Sequence, residues 1–549
     1  MSGKHELIKD VPLKIVNSKT STSYNRGSFL GKGGFARCYE LIDTINKEKF
    51  AVKVIAKCSM TKKYSLEKVN QEICIHKILD HPHIVKIFDS FEDIGNCYII
   101  LELCPNKSLM ELHKRRRTVT EPEARYFTRQ IVSACSFLHK QNIIHRDLKL
   151  GNLFLSKNMD IKIGDFGLAT IVKNNETRNK TLCGTPNYIA PEMLNKIGHS
   201  FEVDIWAIGC ILYTLLVGKP PFDAVTINDT YNKIKSNNYS VPSFVSSGAK
   251  CLIKDLLHPD PGRRPKIDEI IEYEFFIFGY IPRRLPTSCL TMTPKFCNTP
   301  VSNDGIFEEN QDLAQSASRF TAGDVNNGNM YLNDLKAQLE NLLNNVKTFS
   351  SLPTDEETDP VANPLYFITK WVDYSFKYGL GYELTDGSVG VIYNDSTKFV
   401  IDGPGEQIQY FGRGNAEYYY TLKNYPASLD RKVTLLKYFR QYMQEHLDNA
   451  VSIASKEGDE FARLPVLKTW FRTNSAIILY LSNGTLQLNF FQDHIKLILC
   501  PLMSAVSYID TSKNLRTYKF DQLVKIGCEE HLLKKLEYAK KVVDKMLNS

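Results

Sequence analysis

Residues 145–152 read His-Arg-Asp-Leu-Lys-Leu-Gly-Asn, and this stretch decides how the first half of the chain folds. Asp165-Phe166-Gly167 follows it shortly afterwards. Asp147 is suited to orient a hydroxyl group and accept its proton, while Asn152 and Asp165 carry the oxygen atoms that Mg²⁺ prefers. Phosphoryl transfer depends on positioned charge and metal ions and needs little covalent help from side chains. The stretch therefore predicts a magnesium-dependent phosphoryl-transfer site.

A lysine and a glycine-rich segment upstream would complete such a site. Ala51-Val52-Lys53-Val54 places a lysine on a predicted strand, where it can pair with nucleotide phosphates and be held by a helix glutamate. Glu72 is the candidate partner, and only helical register favours it over Glu67 and Gln71. Glycines let the backbone approach phosphates closely. The segment expected to cover the nucleotide comprises Leu30, Gly31, Lys32, Gly33, Gly34, Phe35, Ala36, Arg37 and Cys38.

Each motif alone is a weak signal, but in this order and spacing the set resembles the protein kinase family over residues 24–277. Ala36 and Cys38 depart from the usual glycine-rich pattern of that family. The resemblance implies a β-rich lobe and a helical lobe, with ATP and Mg²⁺ in the cleft between them. It also implies a hinge that meets adenine, formed by Glu102, Leu103 and Cys104.

Two further motifs favour serine and threonine as the acceptors. Lys149, which we count among the catalytic residues, and Gly184-Thr185-Pro186 are both typical of serine/threonine kinases. We expect Thr185 to support the catalytic loop. Glu192 of Ala190-Pro191-Glu192 is expected to pair with Arg264, with Arg263 as the competing choice.

Arg146 precedes the catalytic aspartate, as in kinases that are commonly controlled by phosphorylation of the activation segment. A phosphate adds about two negative charges that such an arginine can capture. Thr181 is the first candidate acceptor for an upstream activating kinase, and Thr177 is the second. The alternative is a segment that is ordered without phosphate.

Composition sets the wider limits. The chain has 549 residues and a formal net charge of +8, which is too weak a bias to indicate a nucleic-acid partner. Its thirteen cysteines include no Cys-x-x-Cys pair, so a zinc site is not indicated. The first ten residues lack an apolar signal region, and no apolar run is long enough to cross a bilayer. We therefore expect a protein of the cytoplasm and nucleus without membrane insertion.

The second half begins with residues 278–364, which read as a linker rich in Ser, Thr and Asn. Leucines at helical spacing predict one docked helix near residues 330–346. A strand-rich unit then occurs twice, and each copy begins near a tryptophan, Trp371 or Trp470, and ends in a helical pattern. Two copies of a sheet closed by a helix are the simplest interpretation.

This repeat resembles the paired polo boxes of the polo-like kinases, and Gly31-Lys32-Gly33-Gly34-Phe35-Ala36 resembles their glycine-rich segment. The resemblance implies an α+β chain that consists of a two-lobed protein kinase domain, a linker and two polo boxes, each an antiparallel sheet plus a helix. The expected divisions are residues 1–23 as an extension, 24–277 as the kinase domain, 278–364 as the linker, 365–450 as the first box and 451–549 as the second.

His494 and Lys496 stand two apart on a predicted strand, so both side chains would face the same way and could clamp a phosphate. The first repeat has Ser396 and Lys398 in these places, which suggests one shared site. By resemblance, His494 and Lys496 bind phosphoserine or phosphothreonine. Flanking peptide would contact Trp371 and the backbone near Leu435 and Leu436. Without the resemblance, Trp371 reads as a core residue and the His-Lys pair as solvated.

The resemblance further implies protein substrates, phosphorylated docking partners and a mitotic role at centrosomes or spindle poles, kinetochores and the division site. Two alternatives remain open. In one, the repeat binds unphosphorylated partners or forms dimers. In the other, the protein is a scaffold whose catalysis is incidental.

Overall fold

The computed structural model describes residues 11–33, 36–59, 66–172, 181, 183–296, 330–349, 358–447 and 461–548. The chain divides into two compact units, Met1–Leu290 and Thr291–Ser549. Within the described ranges, no helix is long and apolar enough to cross a membrane.

The first unit starts with a twisted antiparallel sheet in the strand order β1-β2-β3-β4-β6-β5. Its β-branched runs form a core around Leu41 and Val52. Val11 and Ile15 join this core, so residues 11–17 are part of the sheet and not a separate extension. The elements are β1 (Lys14–Asn17), β2 (Thr22–Gly33), β3 (Ala36–Asp43), β4 (Lys49–Ala56), α1 (Leu66–Lys77), β5 (Ile87–Glu92) and β6 (Asn96–Leu101).

A helical lobe follows, as expected for the kinase fold. Helix α3 begins at a capping box in which Thr120 and Glu123 satisfy each other's backbone amides, and Pro122 lies in its first turn. The helices are α2 (Leu109–Arg116), α3 (Glu121–Lys140), α4 (Pro191–Leu194), α5 (Glu202–Val217), α6 (Ile227–Lys235), α7 (Ser247–Leu256) and α8 (Glu274–Ile277). Two short antiparallel strand pairs are also present: β7 (Ile143–Ile144) pairs with β10 (Thr170–Ile171), and β8 (Leu153–Leu155) pairs with β9 (Ile161–Ile163).

The first unit continues past residue 277. Cys289 and Leu290 are completely buried, and Arg116 Nη1 donates a 3.0 Å hydrogen bond to the carbonyl of Cys289. The first part of the predicted linker is therefore packed on the helical lobe.

The second unit holds two six-stranded antiparallel sheets whose strands follow chain order. Helix α9 (residues 330–345) and β11 (Thr348–Phe349) come first. The first box contains β12 (Ile368–Tyr374), β13 (Gly379–Leu384), β14 (Val389–Tyr393), β15 (Lys398–Ile401), β16 (Gln407–Phe411), β17 (Glu417–Thr421) and α10 (Asp430–His446). The second contains β18 (Leu467–Arg472), β19 (Ala476–Leu481), β20 (Leu486–Phe490), β21 (Lys496–Cys500), β22 (Ala505–Ile509), β23 (Leu515–Lys519), α11 (Phe520–Ile526), β24 (Cys528–Glu529) and α12 (Glu530–Asn548).

The leucines at helical spacing in residues 330–345 form the buried face of helix α9. Leu332, Leu335, Leu339 and Leu342 are buried in the core of the second box, together with the apolar face of α12. Burying such side chains stabilises the packed state by about 1.5–3 kcal/mol each. Helix α9 is thus part of the second box, although more than 120 residues separate it from β18 in sequence (467 − 345 = 122).

The two sheets share a core to which the first two strands of each box contribute. Leu380 and Leu384 of the first box and Leu467 and Leu479 of the second lie in one buried cluster. The Gln487 side chain completes the junction, because it accepts from the Ile368 N–H and donates to the Ile368 carbonyl, both at 2.8 Å. A satisfied buried amide of this kind fixes the position of one strand against the other.

Candidate functional site

The cleft side of the β-rich lobe holds the predicted lysine. Strand β4 carries Lys53, whose Nζ lies 2.6 Å from Glu72 Oε1 and 3.3 Å from Asp165 Oδ1. Helix α1 thus presents Glu72 to the lysine, which confirms the partner selected by helical register. Burial alone would raise the pKa of Asp165, but the charge and hydrogen bond of Lys53 outweigh it and hold that pKa below its usual value. The carboxylate is therefore ionised at neutral pH.

Asp165 occupies a backbone conformation that presents its carboxylate to the cleft. Its φ is +63°, in the left-handed region, and its side chain remains 46% exposed. The next residue, Phe166, is buried and packs against the rings of His76 and His145, at 4.7 and 5.2 Å between centroids. Because the Phe166 ring is buried, it holds the turn in one conformation and fixes the position of the neighbouring Asp165 carboxylate.

A network of side chains orients Asp147. Lys149 Nζ donates to Asp147 Oδ2 at 2.7 Å and to Thr185 Oγ1 at 2.8 Å, and Thr185 donates to Asp147 Oδ1 at 2.8 Å. The prediction that Thr185 supports the catalytic loop is confirmed. Asn152 Nδ2 donates to the Asp147 carbonyl at 2.9 Å, which leaves its Oδ1 as the atom that can face a cation.

The catalytic loop, residues 145–152, is held in position by Asp204, which the sequence motifs did not reveal. This fully buried carboxylate accepts from the backbone N–H groups of His145 and Arg146, at 3.0 and 2.9 Å, and from His139 Nε2 at 3.0 Å. Burial would raise its pKa, yet these donors hold the pKa below the usual value. A carboxylate inside the otherwise apolar helix α5 was the available signal.

The donor set fits Mg²⁺. Mg²⁺ is commonly held by one or two protein carboxylates or amides together with substrate phosphates. Asp165 and Asn152 offer such a set, and the described residues contain no cluster of three or more His, Cys, Asp or Glu that would form an all-protein cage. The ion would therefore need the nucleotide as a co-ligand.

Strands β2 and β3 form the hairpin above the cleft. Gly31 has a φ of +151°, and a Cβ built on Gly31 or Gly33 would meet no atom within 4 Å, so there is open space beside the backbone. Cys38 pairs with Lys53 across the β3–β4 ladder, and burial raises the pKa of its thiol. Leu30, Lys32, Ala36 and Arg37 lie on the same hairpin, and Gly34 and Phe35 lie outside the described residues.

The predicted hinge follows β6. The Glu102 N–H donates to the Lys86 carbonyl at 2.8 Å, and its carboxylate pairs with Lys162 at 2.9 Å. Leu103 and Cys104 continue towards α2 and are partly exposed. These contacts tie the connecting segment to both lobes at the back of the cleft.

The activation segment is described only at its ends. Arg146 Nε donates to the Leu168 carbonyl at 2.7 Å, while its buried Nη1 has no hydrogen-bond partner within the described part of the chain. Thr181 is exposed, and Thr177 lies outside the described residues. At the far end, Arg264 forms a two-pronged pair with Glu192, both contacts at 2.8 Å, which confirms the choice of Arg264 over Arg263.

In the second unit, the structure brings Lys496 next to the strand that carries Trp371. Lys496 Nζ donates a 2.8 Å hydrogen bond to the carbonyl of Thr369 on β12, two residues before the tryptophan. Trp371 is half-buried, and the Arg472 guanidinium lies 5.7 Å from its ring centroid. The junction of the two boxes therefore holds a lysine, an arginine and an indole close together.

Two sequence-based expectations about this region were wrong. His494 does not lie on a strand, because β21 begins at Lys496 and His494 occupies a turn with φ of +55°. Leu435 and Leu436 lie inside helix α10, where backbone groups are used in helical hydrogen bonds, and Leu436 is completely buried. Their backbone cannot hold a peptide.

The fold and the cleft define a protein kinase, and the comparisons agree. The protein kinase domain family matches residues 24–276, and the POLO box duplicated region matches residues 376–433 and 473–536. Serine/threonine-protein kinase PLK1 of Xenopus laevis is 50% identical over 100% of this chain and 94% of its own length. Serine/threonine-protein kinase polo of Drosophila melanogaster is 45% identical over 98% and 97%, respectively.

The chain belongs to the polo-like kinase family of serine/threonine protein kinases.

Proposed function

We propose that the chain transfers the γ-phosphate of ATP to serine and threonine of proteins that its polo boxes have captured through an existing phosphate. The observation that carries the targeting step is the position of Lys496, whose ammonium group is fixed at the junction of the boxes by the Thr369 carbonyl. Capture raises the local concentration of substrate, so a modest preference for the acceptor sequence becomes effective.

The chemistry would be divided among the cleft residues. Lys53, held by Glu72, would contact the nucleotide phosphates, and Asp165 with the Oδ1 of Asn152 would hold Mg²⁺. Mg²⁺, when bound, would neutralise charge on the phosphates. Asp147 would orient the acceptor hydroxyl and receive its proton, and Lys149, 2.7 Å away, would face the transferred group.

Phosphorylation of Thr181 by an upstream kinase is the proposed switch. The Nη1 of Arg146, which has no hydrogen-bond partner among the described residues, supports it, because a buried guanidinium N–H without an acceptor is costly and a phosphate would satisfy it. Thr181→Ala should then prevent activation by an upstream kinase, and full activity of that variant after the same treatment would refute the assignment. From membership of this family we further propose a role in cell division, at spindle poles, kinetochores and the division site, in cytoplasm and nucleus.

The targeting step is tested by peptide binding to the full chain. A Ser-phosphothreonine peptide and its unphosphorylated twin are compared by fluorescence anisotropy. We expect binding only of the phosphorylated peptide, and loss of at least about tenfold in affinity for His494→Ala/Lys496→Ala, since each charge-assisted hydrogen bond contributes about 1.5–3 kcal/mol.

The matched control is Ser396→Ala/Lys398→Ala, which changes the corresponding positions of the first box. Its affinity should stay within twofold of wild type. Equal binding of both peptides would leave the kinase assignment intact and make the boxes a module for unphosphorylated partners.

A further inference from the structure

The segment Thr291-Met292-Thr293-Pro294-Lys295-Phe296, called the strap below, is docked on the polo-box unit. The Lys295 N–H donates to the Phe461 carbonyl at 3.0 Å. Its ammonium group lies 4.0 Å from the centroid of the Tyr419 ring, and Phe296 packs on the Phe461 ring with centroids 5.8 Å apart. Within the strap, Met292 and Pro294 are buried. A stretch that reads as linker is thus held by several independent contacts.

The strap binds to Tyr419 and Phe461, which together are called its seat below. A polar network holds the Tyr419 ring in position. The Tyr419 hydroxyl donates to Glu417, which also accepts from Arg463 Nη2 at 2.8 Å and from Gln409 Nε2 at 2.6 Å. Arg463 and Glu417 are both about 85% buried on their side chains. An aromatic face fixed in this way is suited to a cation, since cation–π attraction strengthens when the partners are partly desolvated.

We propose that the strap is a detachable clasp on the polo-box unit, and that Thr293 is a phosphorylation site that opens it. Thr293 is half-buried and is followed by a buried proline, so it matches a proline-directed serine/threonine kinase only when the strap has left its seat. A phosphate adds about two charges and cannot return to a half-buried place without loss of hydration. Phosphorylation therefore traps the released state.

The modification itself is an ordinary phosphoryl transfer by a separate kinase that uses ATP. Thr293 Oγ1 bonds to the γ-phosphorus, the bond from that phosphorus to the β–γ bridging oxygen breaks, and ADP leaves. The hydroxyl proton passes to the catalytic base of the modifying kinase. The seat is lined by Tyr419 and Phe461, both outside the catalytic cleft and the junction of the boxes, so the clasp is a site distinct from those under Proposed function.

Release of the strap can be measured by trypsin digestion. Trypsin can cleave the Lys295–Phe296 bond only after Lys295 has left the Tyr419 ring. The full chain is digested briefly and the cleavage rate at this bond is measured by mass spectrometry. We expect Tyr419→Leu and Phe296→Ser each to raise the rate at least about tenfold. The matched control is Tyr418→Leu, which removes the neighbouring ring of β17 and should leave the rate within twofold of wild type.

Phe296→Ser changes only the strap, so faster cleavage of this variant cannot be explained by misfolding of the box. A wild-type rate equal to that of an unstructured peptide with the same sequence, or unchanged rates in both variants, would overturn the proposal.

The effect of phosphorylation at Thr293 is measured by hydrogen exchange of the full chain. Thr299 also precedes a proline and is therefore replaced by alanine (Thr299→Ala). Thr293 is then phosphorylated by a proline-directed kinase, and exchange of the Lys295 amide is followed. We expect at least about tenfold faster exchange after phosphorylation, and faster phosphorylation of Thr293 in the Phe296→Ser variant. Unchanged exchange with a stoichiometric phosphate at Thr293 would show that the phosphate is accommodated and would refute the release step.

Discussion

The charge of Lys496 should make phosphopeptide binding depend on pH in the alkaline range. Burial of its ammonium group lowers the pKa from 10.5 to about 8, and the nearby Lys513 adds a smaller effect in the same direction. The group is half-buried beside the Thr369 carbonyl, so the structure keeps it in place in either protonation state. Only the protonated form attracts a phosphate.

The sign and size follow from the depressed pKa. With a pKa of about 8, Lys496 is about 90% protonated at pH 7 and about 10% protonated at pH 9. A bound phosphate raises the lysine pKa, so the loss of affinity begins at the free-state value and continues up to the bound-state value. The dissociation constant at pH 9 should therefore be about tenfold higher than at pH 7, a loss of about 1.4 kcal/mol.

The assay is anisotropy titration of the full chain with a labelled Ser-phosphothreonine peptide between pH 7 and 9, at constant ionic strength. The phosphate is already dianionic throughout this range because its second pKa is about 6. Lys496→Arg keeps its charge to far higher pH and should flatten the profile. Lys398→Arg is the matched control, since burial also lowers the pKa of Lys398, and it should preserve the tenfold change. A wild-type dissociation constant that stays within twofold from pH 7 to pH 9 would refute the reasoning.

Three further outcomes are expected. Lys53→Met should lower kcat at least about 100-fold in a peptide kinase assay, because a preorganised charge is lost, and should leave phosphopeptide affinity unchanged. Arg264→Leu should lower the free energy of unfolding of the first unit, measured in urea, by about 3–5 kcal/mol, because it leaves the buried Glu192 carboxylate unpaired. The control is Arg263→Leu. The Arg263 side chain is 74% exposed, so this substitution should change the free energy of unfolding by less than about 0.5 kcal/mol. Gly390→Ala should destabilise the first box by about 1–3 kcal/mol, as its Cβ would lie 2.1 Å from a tyrosine ring carbon, while Gly412→Ala, with no atom closer than 3.9 Å, should stay near wild type.

The sequence alone predicted the kinase cleft well for a physical reason. Phosphoryl transfer needs a few charged groups in fixed order, and those groups are short polar motifs that stand out between apolar elements. Helical register was enough to select Glu72, because residues of one helix face recur at fixed spacing. Asp204 was missed because its role consists of contacts with backbone N–H groups, and a backbone contact leaves no partner motif in the sequence.

The docking unit was harder to predict because its features depend on contacts between distant segments. Gln487 reads as an ordinary strand residue until the edge of the other box lies against it. The strap reads as linker because Thr, Pro and Lys carry no periodic apolar signal, and only Tyr419 and Phe461 reveal its binding site. Alternation of strand side chains suggested that His494 and Lys496 face the same way, but a positive φ at His494 breaks that alternation.

The same turn in the first box shows how one of two similar repeats could become the phosphate site. Ser396 has a φ of +67°, matching that of His494, and in each box the turn is tied to the closing helix by a lysine and an aspartate, Lys432 with Asp395 and Lys535 with Asp493. The shared ion pair fixes the turn in both copies, so exchange of serine for histidine changes the chemistry without changing the backbone.

The lysine that follows the turn makes the second difference. Lys496 donates a hydrogen bond to a backbone carbonyl of the other box, whereas Lys398 makes no such hydrogen bond among the described residues. A lysine that donates to a backbone carbonyl is already positioned before an anion binds, at little cost. Grafting histidine alone, as Ser396→His, should therefore not create a second phosphopeptide site, because the first box lacks the anchored lysine that would complete it.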